Sequence, residues 1–144
     1  APACDAAAVS DRVPESGGRW QSRKPYYDVG FSKDRTGALH DALIAKGLDS
    51  PFEEWFKRRE KWANRRREPN ITTKVPVGDW FERRDAALLA HATQVDPDGW
   101  FFKIPLDVQR EIWPTEDFEL VRFIVDSDVP EDDLFAGIRD KVEA

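Results

Sequence analysis

The histidine and cysteine side chains, which are the usual ligands of zinc and frequent catalytic groups, are few and far apart in this sequence. The chain contains two histidines, His40 and His91, and one cysteine, Cys4. A self-contained zinc site needs three or four His, Cys or carboxylate ligands, usually with some of them at compact spacing. No such spacing occurs here, and one cysteine excludes an internal disulfide. We therefore predict no metal ligand in this chain, and we expect His40 to be a surface or half-buried side chain and Cys4 to be a free thiol.

The best helical pattern carries the second histidine. Asp79 is followed three residues later by Glu82, a spacing that indicates a capping box at a helix N-terminus. Apolar side chains then repeat every seven residues along one predicted stripe, which consists of Phe81, Leu88 and Val95. The pattern predicts a helix from Trp80 to Val95, followed by a turn over residues 96–99.

His91 and Gln94 lie three residues apart in that predicted helix. Residues at this spacing occupy neighbouring positions on the same helix face, so the pair could contact one ligand or one neighbouring element. The alternatives are that His91 packs at a domain interface and that Gln94 ends the helix in solvent.

The remaining elements are short and mixed in type. We predict strands at 24–29, 70–77 and 118–125 and helices at 32–46, 50–68, 105–113 and 132–142. Pro76 suggests that the second strand lies at a sheet edge. Residues 1–18 are small and polar and predict a flexible lead-in, which leaves 19–144 as one domain. The expected fold class is α+β, a small mixed domain with more helix than sheet.

Composition limits the possible partners. The chain has 144 residues, which corresponds to about one domain, and a formal net charge of −6. That charge argues against coating nucleic acid or anionic lipid, and no apolar run reaches the roughly 20 residues that cross a bilayer. We expect a cytoplasmic protein that binds neither nucleic acid nor membrane. The basic stretch 57–67 is then a solvated helix face, or alternatively a source of positive charge for an acidic ligand.

An ordered series of segments resembles the C-terminal portion of mycothiol S-conjugate amidases. The signature is the run from Asp85 to Pro97, whose His-Ala-Thr-Gln core is shared by the related deacetylases of mycothiol biosynthesis. Further similar segments occur in the expected order, at 24–30, 50–55, 72–75, 101–106, 113–120 and 134–138. The resemblance covers about residues 19 to 138 and is stronger for the amidase than for the deacetylase.

The resemblance implies the fold and the activity of a longer protein. The family belongs to the LmbE/PIG-L-like superfamily of zinc hydrolases, in which a smaller C-terminal domain lies beside a Rossmann-like N-terminal domain. The amidase hydrolyses the cysteinyl–glucosamine amide of mycothiol S-conjugates, a detoxification reaction of actinobacteria. The implied partners are this substrate and an N-terminal catalytic half, either in the same polypeptide or in a second chain. Alternatives are a deacetylase or related N-acyl-glucosamine hydrolase, and a non-catalytic binding or assembly domain.

The sequence departs from the family in one major respect. In the family, zinc is held by a His-Pro-Asp-Asp-Glu motif and by a histidine of a later His-Pro-Asp-His motif, and neither motif occurs here. The chain begins shortly after the second motif by that template, at Ala1 and without any Met. The expectation is therefore that zinc is bound by the N-terminal half, that this chain holds no catalytic residue, and that it does not catalyse the reaction alone.

The resemblance also suggests what this portion contacts. The Gln of the shared motif lies at the edge of the family's substrate site, which makes Gln94, with His91 beside it, the predicted substrate-binding pair. The many aromatic side chains predict an uncovered apolar face that packs on a catalytic domain. We expect the Phe81/Leu88/Val95 helix and the Tyr26–Tyr27 strand to form that face.

Overall fold

The structure is a computed structural model that describes residues 2–9, 20–60 and 67–139. The helices are α1 (Pro2–Ala7), α2 (Lys33–Ala45), α3 (Glu53–Glu60), α4 (Phe81–Leu89) and α5 (Leu106–Ile112), with 3-10 helices at Gly78–Trp80 and Trp100–Lys103. The strands are β1 (Tyr26–Asp28), β2 (Thr73–Pro76) and β3 (Thr115–Leu120). These elements confirm the predicted α+β class.

The described residues fall into two compact units. The first, here called the sheet unit, consists of those within Ala1–Gly30, Asn70–Val75 and Asp117–Ala144, and the second, the helical unit, of those within Phe31–Pro69 and Pro76–Glu116. Among the described residues, no helix is long and apolar enough to cross a membrane.

In the sheet unit, three short strands lie in the order β1-β3-β2. The central strand β3 pairs antiparallel with β1, and Tyr27 lies opposite Glu119. The predicted edge position of β2 is confirmed. A single parallel bridge joins Thr73 of β2 to Glu131, and two backbone hydrogen bonds flank it, from Lys74 N to Glu131 O (2.9 Å) and from Glu131 N to Thr72 O (3.0 Å). The irregular segment around Glu131 therefore lies along the edge of the sheet.

A buried ion pair fixes that segment to the sheet. Lys24 Nζ donates to Glu131 Oε2 at 2.6 Å, and the two side chains are only 1% and 4% exposed. The other carboxylate oxygen accepts from the Tyr26 hydroxyl at 2.5 Å and from Thr73 Oγ1 at 3.0 Å. Lys24 Nζ also donates to the carbonyl of Ala136 at 3.1 Å. Each charge is therefore paired and hydrogen-bonded, which is the condition under which burying it is tolerable.

The same contacts determine the ionisation of two groups. Burial pushes the pKa of Glu131 upward, but hydrogen bonds from Lys24, Tyr26 and Thr73 outweigh that effect, so its pKa lies below the ordinary value. Burial, and then the hydrogen bond to ionised Glu131, raise the pKa of Tyr26 far above its ordinary value. Glu131 is therefore an anion and Tyr26 a neutral donor across the neutral range of pH.

The helical unit has one apolar core. Its buried members come from α2, from the residue before α3 and from the region of α5: Leu39, Leu43, Phe52, Ile104 and Val108. Ser32 caps α2 by accepting from Arg35 N at 3.1 Å, and Gly47 ends it with a φ of 71°, a conformation that glycine adopts without steric cost. His40 is half-buried, as predicted, and its Nδ1 lies 2.7 Å from Ser50 Oγ.

The predicted helix over 80–95 starts within one residue of its expected position, but its capping bond and its C-terminal end are wrong. Asp79 makes no capping bond, because a 3-10 turn precedes α4 and Glu82 pairs with Arg110 instead. The helix ends at Leu89. Beyond Leu88 and Leu89 the run contains only Ala, His, Thr and Gln before Val95, so no large apolar side chain is present whose burial would stabilise further turns.

Other predicted bounds also differ. The strand expected at 118–125 lies at 115–120, where it pairs with β1 over only three residues. The helix expected at 132–142 is a series of turns as far as Arg139, and 140–142 lie outside the described residues. The predicted lead-in covers residues 1–18, of which the structure describes residues 2–9. Residues 2–7 form the helix α1. Most of the basic stretch, 61–66, lies outside the described residues.

We expect Leu43→Ala to lower the free energy of unfolding by about 2–5 kcal/mol, because it removes a fully buried side chain from the helical core. The neighbouring Ile44 is 52% exposed. Ile44→Ala is therefore the matched control, with an expected change of about 0.5 kcal/mol or less. Urea unfolding followed by tryptophan fluorescence measures both, and equal losses would contradict the assigned core.

We expect Glu131→Gln to destabilise the protein by about 3–5 kcal/mol, because it leaves the buried Lys24 ammonium without its counter-ion. The lowered pKa of Glu131 gives the sign of the pH dependence. Its contribution is present above the unfolded-state pKa, near 4.5, and is lost as the pH falls through the folded-state value.

Unfolding free energies measured between neutral and acidic pH test this expectation. The wild-type protein should lose stability on acidification more steeply than the Glu131→Gln variant. Asp132→Asn, which removes the neighbouring exposed carboxylate, should keep the steep dependence. A Glu131→Gln curve parallel to that of the wild type would show that the pair does not contribute.

Candidate functional site

The predicted substrate-binding pair lies in an exposed turn rather than on a helix. After α4, the backbone amides of Gln94 and Val95 both donate to the carbonyl of His91, at 2.8 and 3.0 Å. The side chains of His91 and Gln94 are exposed. The helix-face argument for the pair is therefore wrong, but the turn still brings the two residues together on the surface. Whether they bind substrate stays a prediction.

A second turn, at residues 96–99, follows the His91–Gln94 turn. Asp98 N donates to the Asp96 carboxylate and Gly99 N to the Asp96 carbonyl, both at 3.0 Å. A Cβ added at Gly99 would lie 2.8 Å from that carbonyl oxygen, so any other residue would force the turn open. The predicted turn at 96–99 is confirmed. It fixes the path of the chain immediately after the His91–Gln94 turn.

Arg84 anchors α4 from the other side. Its guanidinium carbon lies 4.3 Å from the centre of the Phe81 ring and 4.8 Å from that of Phe101. It pairs with Asp85 at 2.8 Å and donates to Gln109 Oε1 at 3.0 Å. Gln109, which is 3% exposed, donates in turn to the carbonyl of Ile104 at 2.9 Å. These contacts connect the helix that precedes the candidate turn to the apolar core.

Sequence reasoning missed this anchor. Arg84 and Gln109 are distant in sequence, and a glutamine in an amphipathic helix is ordinarily read as solvated. The spacing of Phe81 and Arg84, three residues apart on a helix, was the available signal, because it allows the guanidinium to lie over the ring.

An open groove of about 380 Å³ lies in the sheet unit. It is lined by Ile71, Thr72, Lys74, Pro130, Glu131 and Asp132. Both carboxylate oxygens of Glu131 already accept hydrogen bonds, from Lys24, Tyr26 and Thr73, and these bonds stabilise the anion and make it a weak base. The groove could bind a ligand, but the buried carboxylate of Glu131 serves to hold the fold together.

The described residues do not fit a zinc site. Within the ranges 2–9, 20–60 and 67–139, no group of three or more His, Cys, Asp or Glu is placed to hold a metal ion. His40 is hydrogen-bonded to Ser50, and Cys4 is a half-buried thiol in α1. The zinc implied by the family resemblance therefore has no ligand set in the part of this chain that can be described.

The predicted apolar docking face is only partly correct. Phe81 is fully buried, so it belongs to the interior, and Leu88 and Val95 are half-buried. Tyr26 is held by its hydroxyl within the ion-pair cluster. Tyr27, by contrast, is 52% exposed, as that prediction requires. The exposed aromatic side chains of the helical unit are Trp80, Trp100 and Phe31, which the sequence analysis did not single out.

Comparison with curated proteins identifies the relatives of this chain. It is 51% identical over 140 residues to the mycothiol S-conjugate amidase of Streptomyces coelicolor, a match that covers 96% of this chain and 47% of that protein. It is 36% identical over 138 residues to the 1D-myo-inositol 2-acetamido-2-deoxy-alpha-D-glucopyranoside deacetylase of Geodermatophilus obscurus, covering 94% and 46%. A deacetylase of the same name from Frankia alni is 30% identical over 139 residues, covering 94% and 48%.

No protein-family model matches the chain, and no solved structure matches it. The chain spans about half the length of the curated relatives it matches. The resemblance stated from the ordered sequence motifs is confirmed: along nearly its whole length, this chain is similar to the C-terminal portion of a mycothiol S-conjugate amidase.

Proposed function

We propose that the chain is the C-terminal, substrate-covering portion of a zinc-dependent amidase that hydrolyses the cysteinyl–glucosamine amide of mycothiol S-conjugates. One observation carries the proposal, the 51% identity over 140 residues to a protein named mycothiol S-conjugate amidase. The deacetylases match at 36% and below over comparable lengths, which favours the amidase over the deacetylase.

The proposal assigns different tasks to the two halves of the protein. On this proposal, zinc and the catalytic groups belong to a Rossmann-like N-terminal half, where a bound metal would supply water activation and polarisation of the amide carbonyl. This chain supplies substrate contacts through its exposed turn. The Gln94 amide can both donate and accept hydrogen bonds, which suits the hydroxyl-rich glycoside head group. A cytoplasmic location and a detoxification role belong to the same proposal.

Two other functions remain as alternatives. The deacetylase of mycothiol biosynthesis is supported by several relatives that carry that name. The other alternative is a non-catalytic binding or assembly domain. Each alternative predicts a different reaction, or none, when a complete catalytic half is present.

A chimera separates these functions. In the S. coelicolor amidase, the 140 matched residues are replaced by this chain, and the product is assayed for cleavage of a mycothiol S-conjugate and for deacetylation of the glucosaminyl-inositol precursor. The expected result is cleavage of the conjugate with zinc bound. The matched control carries the equivalent portion of the Geodermatophilus deacetylase instead. A folded chimera that binds zinc but cleaves no conjugate would refute the proposal.

We expect Gln94→Ala in this chimera to raise KM for the conjugate by about 2- to 10-fold, the equivalent of one hydrogen bond. The value of kcat should stay unchanged, because the contact is made equally in the ground state and the transition state. Gln21→Ala removes another exposed glutamine and serves as the control. Steady-state kinetics measure both, and equal KM values for the two variants would exclude Gln94 from the substrate site.

A further inference from the structure

One segment of the sheet unit exposes an unusual density of large apolar side chains. Between residues 121 and 135 the exposed ones are Val121, Phe123, Ile124, Val129 and Phe135, at 36% to 56% of their surface. Soluble proteins seldom leave such a concentration uncovered unless it is an interaction surface. We call residues 121–135 the apolar segment.

The apolar segment is held in place from beneath. Val125 is buried, at 5% exposure, and Ile124 N donates to the carbonyl of Arg23 at 3.1 Å. Glu131 is fixed by the buried ion pair with Lys24. Gly137 packs so closely behind the segment that an added Cβ would lie 2.0 Å from the Asp126 carbonyl. The exposed side chains are therefore presented by a fixed backbone, which lowers the entropic cost of binding a partner.

The charges around this surface constrain the partner. Asp128 and Asp132 are exposed in or beside the apolar side chains, and the one basic residue of the segment, Arg122, is paired with Asp5. A second copy of this chain would bring two acidic surfaces together, which like-charge repulsion disfavours. The fitting partner is apolar at its centre and basic at its rim.

The length of the relatives identifies a candidate. The 140 residues matched in the S. coelicolor amidase are 47% of that protein, so slightly more than half of it has no counterpart in this chain. We propose that the apolar segment is the docking surface for polypeptide corresponding to that other half. This inference rests on the proposed function, since it requires the chain to be part of an amidase-like protein. It replaces the docking face predicted from the sequence, of which Phe81 is buried.

Thiol labelling tests the docking surface without reference to catalysis. Phe123→Cys and Ile124→Cys are made one at a time, with Cys4→Ser, both in the 144-residue chain and in the chimera. Ile44→Cys is the matched control, because Ile44 is 52% exposed and Phe123 is 50% exposed. Labelling at positions 123 and 124 should be about 10-fold or more slower in the chimera than in the 144-residue chain. Labelling at position 44 should be the same in both.

The other outcomes distinguish the docking surface from the proposed function. Equal labelling rates at position 123 in the two proteins would show that the other half does not cover the segment. Protection in the 144-residue chain that disappears on dilution would identify a second copy as the occupant. Conjugate cleavage by a chimera without protection would leave the proposed function standing and remove only the docking surface, whereas protection without cleavage would do the reverse.

Discussion

The buried pair of Lys24 and Glu131 is the interaction on which the sheet unit depends. Three strands of three to six residues are too short to be stable by backbone pairing alone. The pair connects β1's flank to a segment more than a hundred residues later in the chain, and Tyr26 and Thr73 add hydrogen bonds from two strands to the same carboxylate. One side chain thereby joins β1, β2 and the irregular C-terminal segment.

Burying the Lys24–Glu131 pair costs free energy, because both ions lose their hydration. It can nevertheless specify one arrangement, since only the correct register gives both carboxylate oxygens their partners. The apolar segment beyond β3 has few regular hydrogen bonds of its own, so its conformation depends on such anchors. If the segment docks a partner as proposed, its shape depends on Lys24 and Glu131, whose side chains are buried.

Local patterns predicted the elements well where they were determined locally. The helix predicted at 32–46, the edge position of the strand with Pro76 and the turn at 96–99 each follow from a few neighbouring residues, and each is present. The errors occur where distant partners decide. Glu82 pairs with Arg110 rather than capping its own helix. The C-terminal end of β3 coincides with the end of its pairing with β1, and no pattern within 118–125 contains that information.

The candidate site shows the same division. The shared sequence motif predicted His91 and Gln94 as substrate-binding residues, and the structure places both on the surface within one turn. The residues that hold this turn's helix in place, Arg84 and Gln109, were invisible because their contact joins separate elements. This chain matches 47% of its Streptomyces relative, and it exposes the large apolar side chains of residues 121–135. Under the proposed function, these side chains belong to an interface with the other half of the protein.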